Sequence, residues 1–146
     1  MIKSRILLLS ALVAFYALPA QAQDYTKYTE AALKKIISEI AIVETKLLVP
    51  MRDEVGLSTD VYRPKNIDGP VPTIFVRTPY NMNVPSRRTL YNIVEAVSRG
   101  YAYILQNERG RYFSEGKFEI LGYPRTDGYD ALDWISAQKW SNNKVG

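Results

Sequence analysis

One pattern constrains this chain more than any other: an amphipathic helical repeat set between two short apolar runs. Leu90, Ile93, Val94 and Val97 fall at i, i+3, i+4 and i+7, the spacing that lines one face of a helix. Thr73-Ile74-Phe75-Val76 precedes the repeat, and Tyr101 to Leu105 follows it. Apolar runs of that length without polar alternation predict strands buried on both faces, as in parallel sheets. Strand, helix and strand in that order predict a βαβ unit with a parallel, right-handed crossover. Gly100 stands where a left-handed C′ residue ends such a helix.

The flanking segments predict the rest of an α/β sheet. Upstream, Leu33, Ile36, Ile37 and Ile40 repeat the helical spacing inside an N-terminal helical segment, residues 23–42, with Thr29 or Thr26 as its N-cap. Thr45 to Val49, a turn at Arg52-Asp53-Glu54 and Leu57 to Tyr62 read as an antiparallel hairpin. In its second strand Leu57, Thr59 and Val61 share one face, and Ser58, Asp60 and Tyr62 the other. Pro64 to Pro72 is a loop. Downstream, Asp127 to Ala137 predicts a helix capped by Asp127, with Ala131, Leu132 and Ile135 toward the core. Lys144-Val145 starts a further strand. The fold class is therefore α/β: an incomplete sheet in which an antiparallel N-terminal hairpin is followed by parallel βαβ units. Its last strand belongs at the centre of such a sheet and has only begun, so the chain by itself is expected to fold poorly.

The first 22 residues read differently. Lys3 and Arg5 form a positive start, Ile6 to Ala17 is apolar, and Ala20-Gln21-Ala22 is an A-x-A cleavage site, which together predict a signal peptide cut after Ala22. The apolar run is shorter than the about 20 residues a membrane span needs, so the expectation is a secreted or periplasmic product with no stable membrane anchor. Without Lys3 and Arg5 the net charge falls from +4 to +2. So small an excess, with no basic cluster facing aromatic residues, does not point to a nucleic-acid partner. The chain has no cysteine and no histidine, which excludes disulfides, thiolate metal sites and the commonest general base.

Several segments carry a resemblance. They are Met51-Arg52-Asp53, Leu57-Ser58-Thr59-Asp60-Val61-Tyr62-Arg63-Pro64, Val76-Arg77-Thr78-Pro79-Tyr80-Asn81 and Arg99-Gly100-Tyr101-Ala102. Arg109-Gly110-Arg111-Tyr112-Phe113-Ser114-Glu115-Gly116, Asp127-Gly128-Tyr129-Asp130 through Trp134, and Trp140-Ser141-Asn142-Asn143-Lys144-Val145-Gly146 continue the series. In order and spacing residues 43–146 resemble the cocaine-esterase, α-amino-acid ester hydrolase and Xaa-Pro dipeptidyl-peptidase group of α/β-hydrolases. The resemblance implies a serine hydrolase whose strand after Lys144 leads into a Gly-x-Ser-Tyr-x-Gly nucleophile elbow beyond residue 146. The triad aspartate and histidine follow that serine in chain order. Residues 43–146 would then be the N-terminal part of a catalytic domain, with no nucleophile, acid or base of its own and no implied cofactor or metal. Its substrate would be a small-molecule ester or amide, or a short peptide; esterase, β-lactam acylase and dipeptidyl-peptidase readings stay open. A non-catalytic secreted binding protein is the alternative if the chain truly ends at Gly146.

One candidate site residue follows. α/β-Hydrolases take an oxyanion donor from the loop after the third strand, here Arg77 to Asn81; Pro79 has no N–H to give. The resemblance assigns the role to the side-chain hydroxyl of Tyr80. Other residues carry plainer expectations. Asp127 and Asp130 cap a helix start and complement its dipole. Ser114 has no base and is not expected to be a nucleophile. Arg109 and Arg111 pair with acidic neighbours or position their loop. Tyr112, Phe113, Trp134 and Trp140 line a cleft or fill cores. Two departures stand out: Asp53-Glu54 where the family's turn has Asp-Gly, and Gln106-Asn107 where it generally has Gln-Asp.

Overall fold

The computed structural model describes residues 25–120 and 124–146; the signal-peptide expectation lies outside the described residues. Five strands form one sheet in the order β1-β2-β4-β3-β5. The chain enters through a short 3-10 turn, Tyr25–Lys27, and helix α1, Glu30–Ile40. Of the two threonines, Thr29 is the cap: its hydroxyl accepts from the Ala32 N–H at 3.2 Å. At Ala41 the backbone turns extended and the helix passes without a linker into β1, Ala41–Pro50. The boundary expected after residue 42 therefore falls inside a strand, because helix and strand share one hinge residue.

β1 pairs antiparallel with β2, Gly56–Pro64, as the hairpin pattern predicts. The turn between them puts Glu54 at φ 67, a left-handed conformation that glycine takes more readily. Met51 N–H donates to the Val55 carbonyl at 2.9 Å and closes the turn. A bulge between Glu44 and Leu47 places Lys46 at φ 56; its freed N–H donates to Asp60 at 2.7 Å.

β3 (Val71–Thr78), α2 (Arg87–Ser98) and β4 (Ala102–Asn107) make the expected βαβ unit. β3 and β4 run parallel, in register from Thr73↔Ala102 to Thr78↔Asn107. Gly100 closes α2 at φ 85, and Ser86 caps its start by accepting from the Thr89 N–H. β5, Ser141–Val145, pairs parallel with β3.

Helices cover both faces. Leu33 and Ile37 of α1 and Leu90, Tyr91, Ile93 and Val97 of α2 pack on Tyr62, Tyr103 and Leu105. On the opposite face Ile135 of α3 (Pro124–Ser136) packs on Val61 and Ile104 with Phe75, Trp134 and Trp140 around them. Alternate residues of each strand thus feed opposite cores, and every residue of β4 is buried. β3 departs from expectation: Ile74, Phe75 and Val76 are only half-buried. They contact both cores, but β5 covers their outer side through only a short pairing.

α3 brings two corrections. It starts at Pro124, so Asp127 lies within the first turn and is not the cap. Leu132 is 41% exposed while Ala131 and Ile135 are buried. Ala131 and Ile135 stand one turn apart on the core face, and Leu132 is rotated about 100° from Ala131.

Candidate active site

The loops that leave the C-terminal ends of β3 and β4 lie side by side, because these parallel strands end in register at Thr78 and Asn107. In open α/β sheets that end is where ligands bind. Tyr80 stands two residues beyond β3 with its side chain turned outward; the residue is 76% exposed.

The backbone beneath that exposed ring is held on every side. Tyr80 N–H donates to the Thr78 hydroxyl at 3.2 Å. The Thr78 carbonyl accepts from the Glu108 N–H at 3.1 Å, which carries the strand pairing one step further. Past that point side chains take over. Arg111 Nε donates to the Pro79 carbonyl at 2.9 Å, and Asn107 Nδ2 donates to the Tyr80 carbonyl at 2.7 Å and the Thr78 carbonyl at 3.4 Å. Two carbonyl acceptors fix which end of the Asn107 amide faces them, since only the NH2 can donate.

The donor loop is itself fastened. Ser114 Oγ donates to the Asn107 carbonyl and accepts from the Ser58 N–H, each at 2.9 Å. Its hydroxyl is thus committed to tying the loop to β2. Glu115 accepts the Gly56 N–H at 2.8 Å. Gly110 has φ 67, and a Cβ there would overlap the Lys117–Phe118 peptide, so this turn needs glycine.

Under the loop runs a chain of ion pairs, buried at Arg109 and Asp127 and exposed at Asp53 and Arg52. Arg109, 9% exposed in its side chain, grips Asp127 through Nη2 at 2.8 Å and Nε at 3.1 Å. It also grips Asp53 through Nη1 at 2.8 Å and Nη2 at 3.0 Å. These bonds, Asp127 foremost, raise the Arg109 pKa far above the ordinary guanidinium value. Arg77 approaches the same Asp127 at 3.4 Å, and burial pulls its pKa down. The Arg109 bond holds Asp53 below the usual carboxylate range. Asp130 is lowered in the same way by Arg52, with Nη2 to Oδ1 at 2.7 Å and the Arg52 N–H donating at 2.8 Å.

Of the residues singled out in the sequence, the structure sets Arg111 on the Pro79 carbonyl next to Tyr80 and gives Arg109 acidic partners. Trp134 and Trp140 meet edge to face in the α3-side core, while Tyr112 and Phe113 are exposed. Sequence reasoning missed Asn107 as a clasp on Tyr80 and Asp127 as an ion-pair partner. The signal for Asn107 was its departure from the family's aspartate, which has no proton to donate when ionised. Among the described residues no cluster of three or more His, Cys, Asp or Glu could hold a metal ion, and no helix is long and apolar enough to cross a membrane.

A mixed sheet begun by an antiparallel hairpin, continued by parallel βαβ pairing and covered by helices on both faces defines an α/β-hydrolase sheet. The match to the X-Pro dipeptidyl-peptidase (S15 family) covers residues 53–146, and the chain belongs to that family. It is 42% identical over 106 residues to the cocaine esterase of Rhodococcus sp. (strain MB1 Bresler), an alignment spanning 71% of this chain and 18% of that protein. An α-amino acid ester hydrolase structure superposes with a TM-score of 0.61 at 27% identity, covering 88% of this chain and 24% of that one. A CocE/NonD family hydrolase from Staphylococcus aureus, TM-score 0.64 at 23% identity, shares the fold over 73% of this chain and 22% of its own. The chain thus spans about a fifth of the length of the curated relative it matches.

Proposed function

We propose that the complete protein is a secreted serine hydrolase that cleaves an ester or amide through an acyl-enzyme, and that this chain supplies Tyr80 to its oxyanion hole. The observation that carries the reading is the contrast at Tyr80, an exposed phenol on a backbone clasped from three sides. Preorganised donors work by being fixed before charge develops. The serine oxygen, giving its proton to the base, attacks the substrate carbonyl carbon, the C=O pair moves onto oxygen, and the phenolic O–H donates to that oxyanion. As the C=O re-forms, the alcohol or amine leaves with the proton the base returns, and the acyl-enzyme remains. The second donor is a backbone N–H beside the nucleophile. The resemblance implies that the serine, the acid and the base follow Gly146 in chain order, and these 146 residues hold no histidine. Family membership and the similarity to a cocaine esterase support ester cleavage; acylase and dipeptidyl-peptidase activities are the other arms of the substrate test. Secretion rests on the n-region, apolar run and A-x-A site of residues 1–22.

The test is to read the coding sequence past the Gly146 codon and assay the complete protein. A Gly-x-Ser-x-Gly elbow and saturable hydrolysis of p-nitrophenyl butyrate, abolished by a fluorophosphonate, are expected. A stop codon at that point would sink the enzyme reading in favour of a binding protein.

A further inference from the structure

We propose that Asn107 and Arg111 are positioning residues for the oxyanion hole, acting through the peptide units of Pro79 and Tyr80; the inference rests on the reading of Tyr80 as donor. The pairing of β3 with β4 ends at Thr78 and Asn107, with one further backbone bond from Glu108 to Thr78. Beyond it the chain at 79–80 has no strand partner to fix it. Proline restricts its own φ but leaves the following peptide free to swing. Swinging that peptide would sweep the phenol through several ångströms, because a tyrosine hydroxyl stands far from its own backbone.

Two side chains, one at the end of β4 and one in the loop after it, remove that freedom. Arg111 Nε holds the Pro79 carbonyl at 2.9 Å and Asn107 Nδ2 the Tyr80 carbonyl at 2.7 Å, so both carbonyls flanking the Tyr80 backbone are clamped. Asn107 is 2% exposed, so its amide has no water to exchange for these acceptors and its bonds are costly to leave unmade. Arg111 in turn lies over the Phe118 ring at 4.8 Å and the Tyr112 ring at 5.4 Å, which limits its rotamers. A donor for a transient charge has to be held within about half an ångström of its working geometry. A side chain open to solvent on the Tyr80 side meets that demand only from below, through its backbone.

The identity of residue 107 follows from this duty. Both acceptors are carbonyls, so an ionised aspartate at 107 would set a negative oxygen against each of them.

The experiment is a cycle in the complete enzyme with four proteins: wild type, Arg111→Met, Tyr80→Phe and the double variant. Arg111→Met keeps an unbranched apolar stem and removes the donor together with the guanidinium that lies over Phe118. We expect it to lower kcat about tenfold or more while KM stays within about twofold, since misplacing a group by an ångström costs that order. Arg111→Lys should recover part of the loss. In the Tyr80→Phe background Arg111→Met should cost less than about twofold, because the hydroxyl it positions is already gone. Asn107→Asp should show the same background dependence, with faster amide exchange at Tyr80 and Asn81 by hydrogen-exchange mass spectrometry. If either variant lowers kcat by the same factor with and without the Tyr80 hydroxyl, the positioning role is overturned. So it is if the exchange accelerates and kcat holds. Should Tyr80→Phe alone leave kcat intact, the donor reading fails and takes this proposal with it.

Discussion

Arg109 and Asp127 meet side-on through two hydrogen bonds, at 2.8 and 3.1 Å, in a place where the carboxylate is 1% exposed. The pair joins the loop after β4 to the first turn of α3. Because Arg109 also reaches Asp53 at the β1–β2 turn, three segments distant in sequence share one guanidinium. Burial makes such a pair expensive to break, since Arg109 keeps its charge and is left with a weaker acidic partner in Asp53, whose side chain is 47% exposed.

Asp127→Asn is therefore expected to destabilise the complete protein by about 2 kcal/mol, less than the full cost of stranding a buried charge because Asp53 still faces Arg109. Replacing both residues with apolar ones of similar size, Arg109→Met with Asp127→Leu, should cost less than the sum of the two single changes. Urea unfolding of the four proteins measures the coupling, and strict additivity would contradict it.

Tyr80→Phe removes a hydroxyl and keeps the ring. With the residue so exposed, folding and melting temperature should hardly change. Turnover should: kcat of the complete enzyme on p-nitrophenyl butyrate is expected to fall roughly 100- to 1,000-fold with KM little altered. A kcat within about threefold of wild type would make the tyrosine structural.

Acid should loosen the hairpin turn and α3 together. Asp53 and Asp130 are held below the usual carboxylate range, chiefly by the Arg109 and Arg52 hydrogen bonds. With folded pKa values lowered, the unfolded chain binds more protons near about pH 4; the stabilisation is complete above that and is lost as pH falls through the folded values. Asp60, raised by burial, has the opposite sign and offsets part of the slope. Stability measured from pH 6 to pH 3 should fall more gently in Asp130→Asn than in wild type.

Alkali should act through Tyr62. Burial beneath the α1–α2 core pushes its phenol up to about 12. Its neutral form is thus the folded one, and the contribution is whole below about pH 10, the ordinary tyrosine value. It drains away as pH rises through about 12. Tyr62→Phe should flatten the loss of stability between those two pH values, read by circular dichroism at fixed urea.

Export gives the last prediction. N-terminal sequencing of the mature protein should begin at Gln23, after the A-x-A site. A soluble cytoplasmic product retaining Met1 would contradict secretion.

Much of the fold was legible because helix and strand periods are local. The 90–97 repeat, the apolar runs around it and Gly100 needed no distant partner to be read, and β3, α2 and β4 formed where they point. A threonine cap on α1 likewise follows from immediate context, though only the structure chose Thr29 over Thr26, and Ser114 as a structural hydroxyl follows from residue type. What the sequence left open depends on partners far along the chain. Asp127 reads as a cap from its neighbours, but the sheet brings Arg109 and Arg77 to it, and a buried carboxylate goes to the guanidinium that compensates it. Asn107 lies 27 residues from Tyr80 and Arg111 lies 32 from Pro79. Only the register that sets Thr78 beside Asn107 turns those separations into contacts. Period and turn chemistry are carried by a few consecutive residues, so one sequence determines them. Which side chain clasps which carbonyl is decided by how strands align, and that alignment exists only once the sheet has formed.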